Sequence, residues 1–467
     1  DEVASLEKIF SIEKIDQVAH WTSLQAKPTE AKTAEIEKIK SSIREDDLVS
    51  IIYTSGTTGH PKGVMLSHKN IVSNIKSIIP LIPINHEKKA LSFLPISHIF
   101  ERMINYTYMA TGASVHYAEK TDKIVENLNE IKAHYFATVP KLLEQMYDSI
   151  LDTAAQKGVL QKRIISWAIN LAMNYQEYKK RSVFEWIQHR VADILVYRKW
   201  RNLLGGNVEG IIVGAAALRP ELGRLFSAAG IHTREGYGLT ETSPVLSVNR
   251  FEPGGFRFGT VGIAVPGVEI KIENQNEEGE GEIVVRGPNI MMGYYLLPEE
   301  TKKVLDQDAW FNTGDIGKIV HKHFLQITDR KKDIFKTSSG KYIAPQVLEN
   351  KLRTSHYILQ SMIIGFNRPF VTALIVPNFA ALKIWCKTNG VHWTAPQFMV
   401  INPKVMELMT KIIEEINQDL THHKKIKNFH LLHEEWSVET QEFTPTQKIK
   451  RAYLLKKFEK EIKAMYL

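Results

Sequence analysis

The sequence predicts an α/β protein: a large amino-terminal domain of parallel-rich sheets with flanking helices, followed by a small α+β domain. Three observations carry that prediction. Short β-branched runs at 209–213 and 282–286 alternate with helical stretches such as 220–229, where Pro220 suits a first helical turn. Residues 147–204 have few turn residues and a 3.6-type apolar spacing, which predicts long helices. After Asp329 the pattern changes to hairpins: 334–336 and 341–343 flank Ser338-Ser339-Gly340, Pro345 opens a helix, and 361–366 and 371–376 flank Asn367-Arg368-Pro369.

Along the chain, residues 1–45 are rich in Lys, Glu and Ser and read as a surface connection ending near Arg44-Glu45-Asp46-Asp47. The apolar run Leu48-Val49-Ser50-Ile51-Ile52-Tyr53 suits a buried strand; it breaks into a Ser/Thr/Gly loop that leads to a helix-like stretch at 70–79. At 467 residues the chain exceeds what one core usually supports, at roughly 150 residues per domain. The change of pattern divides it into 1–330 and 331–467.

Hydrophobic residues make up 43% and charged residues 24%, the balance of a globular protein rather than a disordered one. A single cysteine, Cys386, excludes an intramolecular disulfide, and the charged start Asp1-Glu2-Val3 offers no signal-peptide core, so the cytoplasm is the expected compartment. The most apolar short stretch, 78–84, contains two prolines and falls far short of the ~20 residues that span a bilayer. A net charge of +8 suits nucleic acid, anionic lipid or a small polyanion alike. Without zinc-ligand spacing or a nucleic-acid module, small phosphorylated ligands and a membrane surface are favoured, and no nucleic-acid partner is expected. Lys179-Lys180-Arg181 precedes Phe184, Trp186, Ile187, Ile194, Leu195 and Trp200 in a helix-like stretch. Such a basic amphipathic helix can lie on anionic lipid. The stronger expectation is that its stripe packs into the core, as most do.

The densest chemical signal is Tyr53-Thr54-Ser55-Gly56-Thr57-Thr58-Gly59-His60-Pro61-Lys62-Gly63, placed directly after a strand. Its glycines let backbone N–H groups approach phosphate oxygens, its hydroxyls add donors, and Lys62 supplies charge. It departs from the P-loop formula, since no Gly-Lys-Ser/Thr follows at the required spacing, which argues against a kinase or GTPase. In Glu235-Gly236-Tyr237-Gly238-Leu239-Thr240-Glu241-Thr242, Tyr237 offers a stacking face, the glycines permit close approach, Thr240 can reach a phosphate, and Glu241 is a hard oxygen ligand. Asp315, in Thr313-Gly314-Asp315, can accept hydrogen bonds from two ribose hydroxyls. Val213-Gly214-Ala215-Ala216-Ala217 places small residues at a strand end, and Asp329-Arg330-Lys331-Lys332-Asp333 is a charged run suited to a hinge.

Taken in this order, the motifs resemble those of the adenylate-forming superfamily, and Leu94-Pro95-Ile96-Ser97-His98-Ile99-Phe100-Glu101-Arg102 is similar to the form found in its long-chain fatty acyl-CoA synthetases. The resemblance implies roles. Thr54, Ser55, Gly56, Thr57, Thr58, Gly59 and Lys62 would hold phosphates; Gly214, Ala215 and Ala216 would wall the adenine; Glu235, Gly236, Tyr237 and Gly238 would line the nucleotide. Thr240 and Glu241 would act on the phosphates, with Glu241 and Thr54 holding Mg²⁺, and His98 would line the acyl site. Asp315 and Arg330 would take the ribose, Lys332 would be the pivot, and Lys336 would add a nucleotide contact. The segment Thr444-Pro445-Thr446-Gln447-Lys448-Ile449-Lys450-Arg451 resembles the one that carries the adenylation lysine, Lys448, with Lys450 as the alternative.

The implied reaction is activation of a long-chain fatty acid by ATP to acyl-AMP, then transfer to CoA, with the small domain swinging about Lys332 between the steps. Two alternatives stay open: an acyl-AMP ligase that loads a carrier protein, and a non-catalytic nucleotide- or lipid-binding relative. An amino-acid substrate would need an acid beside the small-residue wall, and none is placed there. Family members carry a substantial segment before the phosphate loop where only some 45 residues stand here, so an amino-terminally incomplete large domain is expected.

Overall fold

In the computed structural model, which describes residues 7–54, 61–155, 157–176, 181–331, 333–338, 341–443 and 449–467, seven strands build the largest sheet. Their order is Ile263–Ala264, Val245–Val248, His232–Gly238, Gly210–Val213, Tyr135–Thr138, Lys89–Ser92 and Ser114–Tyr117. The five strands from His232–Gly238 to Ser114–Tyr117 are parallel, joined by helices that include Ile99–Ala110, Ile124–Ile131 and Pro220–Ala228. Alternate residues face opposite sides. Leu91, Phe136, Ile211 and Val213 enter one core with helical Ala168, Val196 and Trp200. Ala90, Tyr135, Ala137 and Ile212 enter another with Ile78, Met103 and Ile104.

The expectation of parallel pairing holds for those five strands and not for the sheet that contains Gly281–Arg286. Gly281–Arg286 pairs antiparallel on both sides, within a four-stranded sheet ordered Glu269–Glu273, Gly281–Arg286, Phe311–Val320, Phe324–Arg330. For the pair with Glu269–Glu273 the reason is length: residues 274–280 are too few for the crossover of about a dozen residues that a parallel pair requires.

A three-stranded sheet is ordered Gly293–Tyr294, Lys62–Ser67, Leu48–Thr54. Here the expected buried strand is instead an edge strand: Ile52 is buried, while Leu48, Val49 and Tyr53 are exposed. An edge has one neighbour only, so an apolar run there is only partly covered. The helix His68–Ile78 starts at a capping box, in which Asn70 N–H donates to Ser67 Oγ at 3.2 Å and Ser67 N–H to Asn70 Oδ1 at 2.9 Å.

The expected long helices are present as Pro140–Ala155, Val159–Met173 and a continuous helical run through Val183–Ala192, a π-helical turn Asp193–Tyr197 and Arg198–Leu203. After residue 330 the two expected hairpins form, Phe335–Lys336 with Tyr342–Ile343 and Ile358–Ile364 with Val371–Pro377. The second gains a parallel strand, Ile426–Leu431, and packs with the helices Pro345–Leu352, Phe379–Thr388 and Pro403–Gln418. The described residues up to Leu48 form one compact unit and those from Val49 onward a second. Within the first, the helix Glu30–Ser42, capped by Thr29, has no buried residue.

Candidate active site

A cleft of about 2110 Å³ lies against the carboxyl ends of two parallel strands, where Gly214 follows Gly210–Val213 and where Glu235, Gly236, Tyr237 and Gly238 stand. Ligands of open parallel sheets bind at such ends because the backbone there leaves the sheet. Thr54, Lys62, His98, Ala215, Ala216, Thr240, Glu241, Asp315 and Arg330 line the same cleft, so residues spread over 277 positions of sequence, from 54 to 330, meet in one place.

Asp315 is held on both carboxylate oxygens. It is buried, its Oδ2 accepts from the Tyr237 hydroxyl at 2.7 Å, its Oδ1 stands 3.2 Å from Arg330 Nε, and its own N–H donates to Thr313 Oγ1 at 3.1 Å. The antiparallel register creates the pair with Arg330, since the two residues are direct cross-strand neighbours. Burial, and then the Asp315 charge, push the Tyr237 hydroxyl well above its usual range, so it remains a donor.

Glu241 follows Thr240 in a single 3-10 turn. Its Oε1 accepts from the Tyr294 hydroxyl at 2.9 Å. Lys62 stands beside them, with Nζ 4.9 Å from the Tyr294 ring centroid and 2.6 Å from Glu300 Oε2. Hydrogen bonds from Lys303 and Lys62 hold the Glu300 carboxyl down at about 2. Among the described residues no group of three or more His, Cys, Asp or Glu is disposed to hold a metal ion. One cleft carboxylate beside a hydroxyl still suits Mg²⁺, which usually takes one or two protein carboxylates and completes its shell with phosphate oxygens and water.

The small-residue wall has a steric cause. A Cβ on Gly214 would lie 2.9 Å from the Phe100 ring, and Ala215 adopts a left-handed φ of 68°. Glu235 holds this loop from below, its Oε1 accepting the Leu218 N–H at 3.1 Å, and burial raises its carboxyl to about 8. At Gly238 a Cβ would meet the Pro244 carbonyl oxygen at 1.8 Å, a clash that only backbone movement could relieve. His98 lines the cleft while capping the helix Ile99–Ala110, its Nδ1 accepting from Phe100 N–H at 3.3 Å. Apolar Ile78, Ile82, Met103, Ile104, Val245 and Val248 continue the cleft inward.

Several expected residues stand elsewhere or cannot be placed. Lys336 is exposed, with Nζ 4.6 Å from the Tyr342 ring centroid, and does not line the cleft. Ser55, Gly56, Thr57, Thr58, Gly59, Lys332 and Lys448 lie outside the described residues. Lys450 and Arg451 do line the cleft, and Arg451 makes a two-pronged pair with Glu349, both contacts at 2.7 Å. Asp329, fully buried and raised to about 7 by that burial, accepts the Gln346 N–H at 3.1 Å near the start of helix Pro345–Leu352. Sequence reasoning missed Tyr294 and Glu300. No local motif marks them, because their roles come from pairing with residues 53 and 238 positions away.

The family described as AMP-binding enzyme matches residues 2–295, and the AMP-binding enzyme C-terminal domain matches 332–467. A long-chain-fatty-acid–CoA ligase, FadD15, from Mycobacterium bovis is 33% identical over 439 residues, covering 93% of this chain and 72% of the relative. Long-chain-fatty-acid–CoA ligase 5 of Rattus norvegicus is 33% identical over 436 residues, covering 90% of this chain and 62% of that protein. Among solved structures, ATP-bound MatB from Rhodopseudomonas palustris superposes with a TM-score of 0.64 at 22% identity, over 89% of this chain and 69% of that one. The chain therefore belongs to the AMP-binding enzyme family, the adenylate-forming superfamily in which the long-chain-fatty-acid–CoA ligases stand.

Proposed function

We propose that the protein is an AMP-forming long-chain fatty acid–CoA ligase. A fatty acid carboxylate attacks the α-phosphate of ATP and displaces pyrophosphate, and the thiol of CoA then attacks the acyl-AMP carbonyl and displaces AMP. The observation that carries the reading is the cleft itself. It joins an apolar extension to a polar wall of Thr240, Glu241, Asp315 and Arg330. The identity shared with ligases of that name supports the same acid and acceptor.

A carboxylate is a poor acylating agent because oxide would have to leave, and the mixed anhydride solves this. In the first step negative charge gathers on the phosphates. Lys62, the Thr54 and Thr240 hydroxyls and Lys448 are the groups assigned to disperse it, aimed in advance at where it develops. Asp315, fixed by Tyr237 and Arg330, is assigned to the ribose hydroxyls. Glu241 and Thr54 would hold Mg²⁺, which when bound neutralises phosphate charge. The small-residue wall 214–216 is assigned to the adenine face and His98 to the mouth of the acyl site.

Residues 1–330 and 331–467 are proposed as two domains turning about Lys332, with Lys448 presented for the first step and withdrawn for the second. The family match to a separate carboxyl-terminal region at 332–467 supports this division. A cytoplasmic setting with peripheral membrane contact belongs to the same proposal. The single free cysteine suits that compartment, and the substrate class partitions into lipid. Among the described residues no helix is long and apolar enough to cross a membrane.

The test is ATP–pyrophosphate exchange against carboxylic acids of graded length, followed by thioester detection with CoA. Exchange should appear with long aliphatic acids and thioester should form with CoA. Stronger exchange with an amino acid or benzoate would overturn the substrate, and transfer only to a carrier protein would overturn the acceptor.

A further inference from the structure

The helical run Val183–Leu203 contradicts the expectation that its apolar stripe is core. Ala192, Val196, Tyr197 and Trp200 do face inward, and the Tyr197 hydroxyl donates to the Ala168 carbonyl at 2.7 Å. The opposite face is apolar as well. Phe184 is 68% exposed, Trp186 58% and Ile194 60%, and Val183, Ile187 and Val191 are exposed with them. Positions 183, 187, 191 and 194 follow helical spacing, so these side chains form one stripe along a run about 30 Å long. A soluble surface rarely presents a contiguous apolar patch of this kind without a partner.

Charge identifies the partner. Between 181 and 203 stand Arg181, Arg190, Arg198, Lys199 and Arg201 against Glu185 and Asp193. Both acids are already engaged, Glu185 with the Ser182 N–H at 2.8 Å and Asp193 with Arg201 at 2.6 Å. Arg190 and Arg198 are exposed beside the apolar stripe, and with five Lys/Arg against two acids the run carries a net positive charge. Large apolar and aromatic side chains on one face with arginines beside them match the interface of an anionic bilayer, where rings enter the headgroup boundary and cations meet phosphates.

We infer that the outer face of Val183–Leu203 docks the protein in the plane of an anionic phospholipid bilayer. This rests on the fatty acid reading above for its purpose and on the exposed stripe for its evidence. The run packs on the sheet face that carries Leu91, Phe136 and Ile211, whereas the apolar end of the cleft, with Met103 and Ile212, lies on the other face. The patch is thus an anchor for the enzyme and not a gate of its pocket.

The full chain would be sedimented with vesicles of zwitterionic phospholipid alone and of zwitterionic plus anionic phospholipid. Wild type should co-sediment with the anionic vesicles. The triple variant Phe184→Ser, Trp186→Ser, Ile187→Ser should bind them at least about tenfold more weakly, and the double variant Arg190→Glu, Arg198→Glu should lose binding in a salt-sensitive way. ATP–pyrophosphate exchange with a long-chain fatty acid supplied in detergent, without vesicles, should be unchanged in both, which also shows that they fold. Equal sedimentation of wild type and variants, no sedimentation of wild type, or a concentration-dependent dimer abolished by the triple variant would each overturn the inference. Vesicle binding without any fatty-acid-dependent exchange would instead overturn the ligase reading and leave the docking surface standing.

Discussion

The Tyr237 hydroxyl donates to Asp315 Oδ2 at 2.7 Å, and in doing so ties the seven-stranded sheet to the four-stranded one at the centre of the cleft. Both residues are buried, so neither has water to replace the other. Arg330 completes the arrangement from the neighbouring strand, and Asp315 is left with one fixed orientation.

Tyr237→Phe should therefore destabilise the protein by about 1–3 kcal/mol, the cost of stripping a partner from a buried polar group. It should also raise KM for ATP in the exchange assay while leaving KM for the fatty acid near its wild-type value. Asp315→Asn should raise the ATP KM further, since it also weakens the contact with Arg330. Denaturant unfolding and exchange kinetics measure the two effects, and an unchanged ATP KM in both variants would remove Asp315 from the nucleotide site.

Lys448 and Lys450 can be separated by half-reaction. Lys448→Ala should slow acyl-adenylate formation by a factor on the order of 10²–10³, the usual effect of losing one preorganised charge at a developing anion. Thioester formation from synthetic acyl-AMP and CoA should be nearly spared. Lys450→Ala should affect both steps little, although Lys450 lines the cleft. Equal loss of both steps in Lys448→Ala argues against a swinging domain, and a selective first-step defect in Lys450→Ala transfers the role to that lysine.

Glu101 makes stability depend on pH. It is 1% exposed, and burial raises its carboxyl from the usual 4.5 to about 7, against the opposing hydrogen bonds from Ser92 and Asn105. The folded state thus binds the proton more tightly than the unfolded one. Its contribution is complete below about pH 4.5 and is lost as pH rises through about 7, a difference of about 3 kcal/mol. Glu101→Gln, which mimics the neutral carboxyl, should flatten the fall in urea midpoint between pH 5 and 8, leaving the parts due to Glu235 and Asp329. Parallel pH curves for wild type and variant would show that Glu101 is charged in the fold.

Hairpins after residue 330 and the helix at Pro345 were legible because they are local: proline and turn residues act within one or two turns of chain. The motifs around Tyr237, Thr240, Glu241 and Asp315 were legible because each carries its chemistry in a few adjacent residues. Tyr294 and Glu300 were not, since a tyrosine and a glutamate without a local pattern acquire a role only when strand pairing sets them beside Glu241 and Lys62.

The sequence by itself determined the α/β class, the order of motifs and the chemistry each one offers, because backbone preference and side-chain donors are properties of short segments. Tertiary structure alone decided which strands are parallel, that Leu48–Thr54 is an edge, that Lys336 stands outside the cleft, and which face of Val183–Leu203 is covered. Those outcomes depend on which distant element arrives as a neighbour. A helix with two apolar faces records in its sequence that both prefer to be dry, but only packing determines which one the protein itself covers.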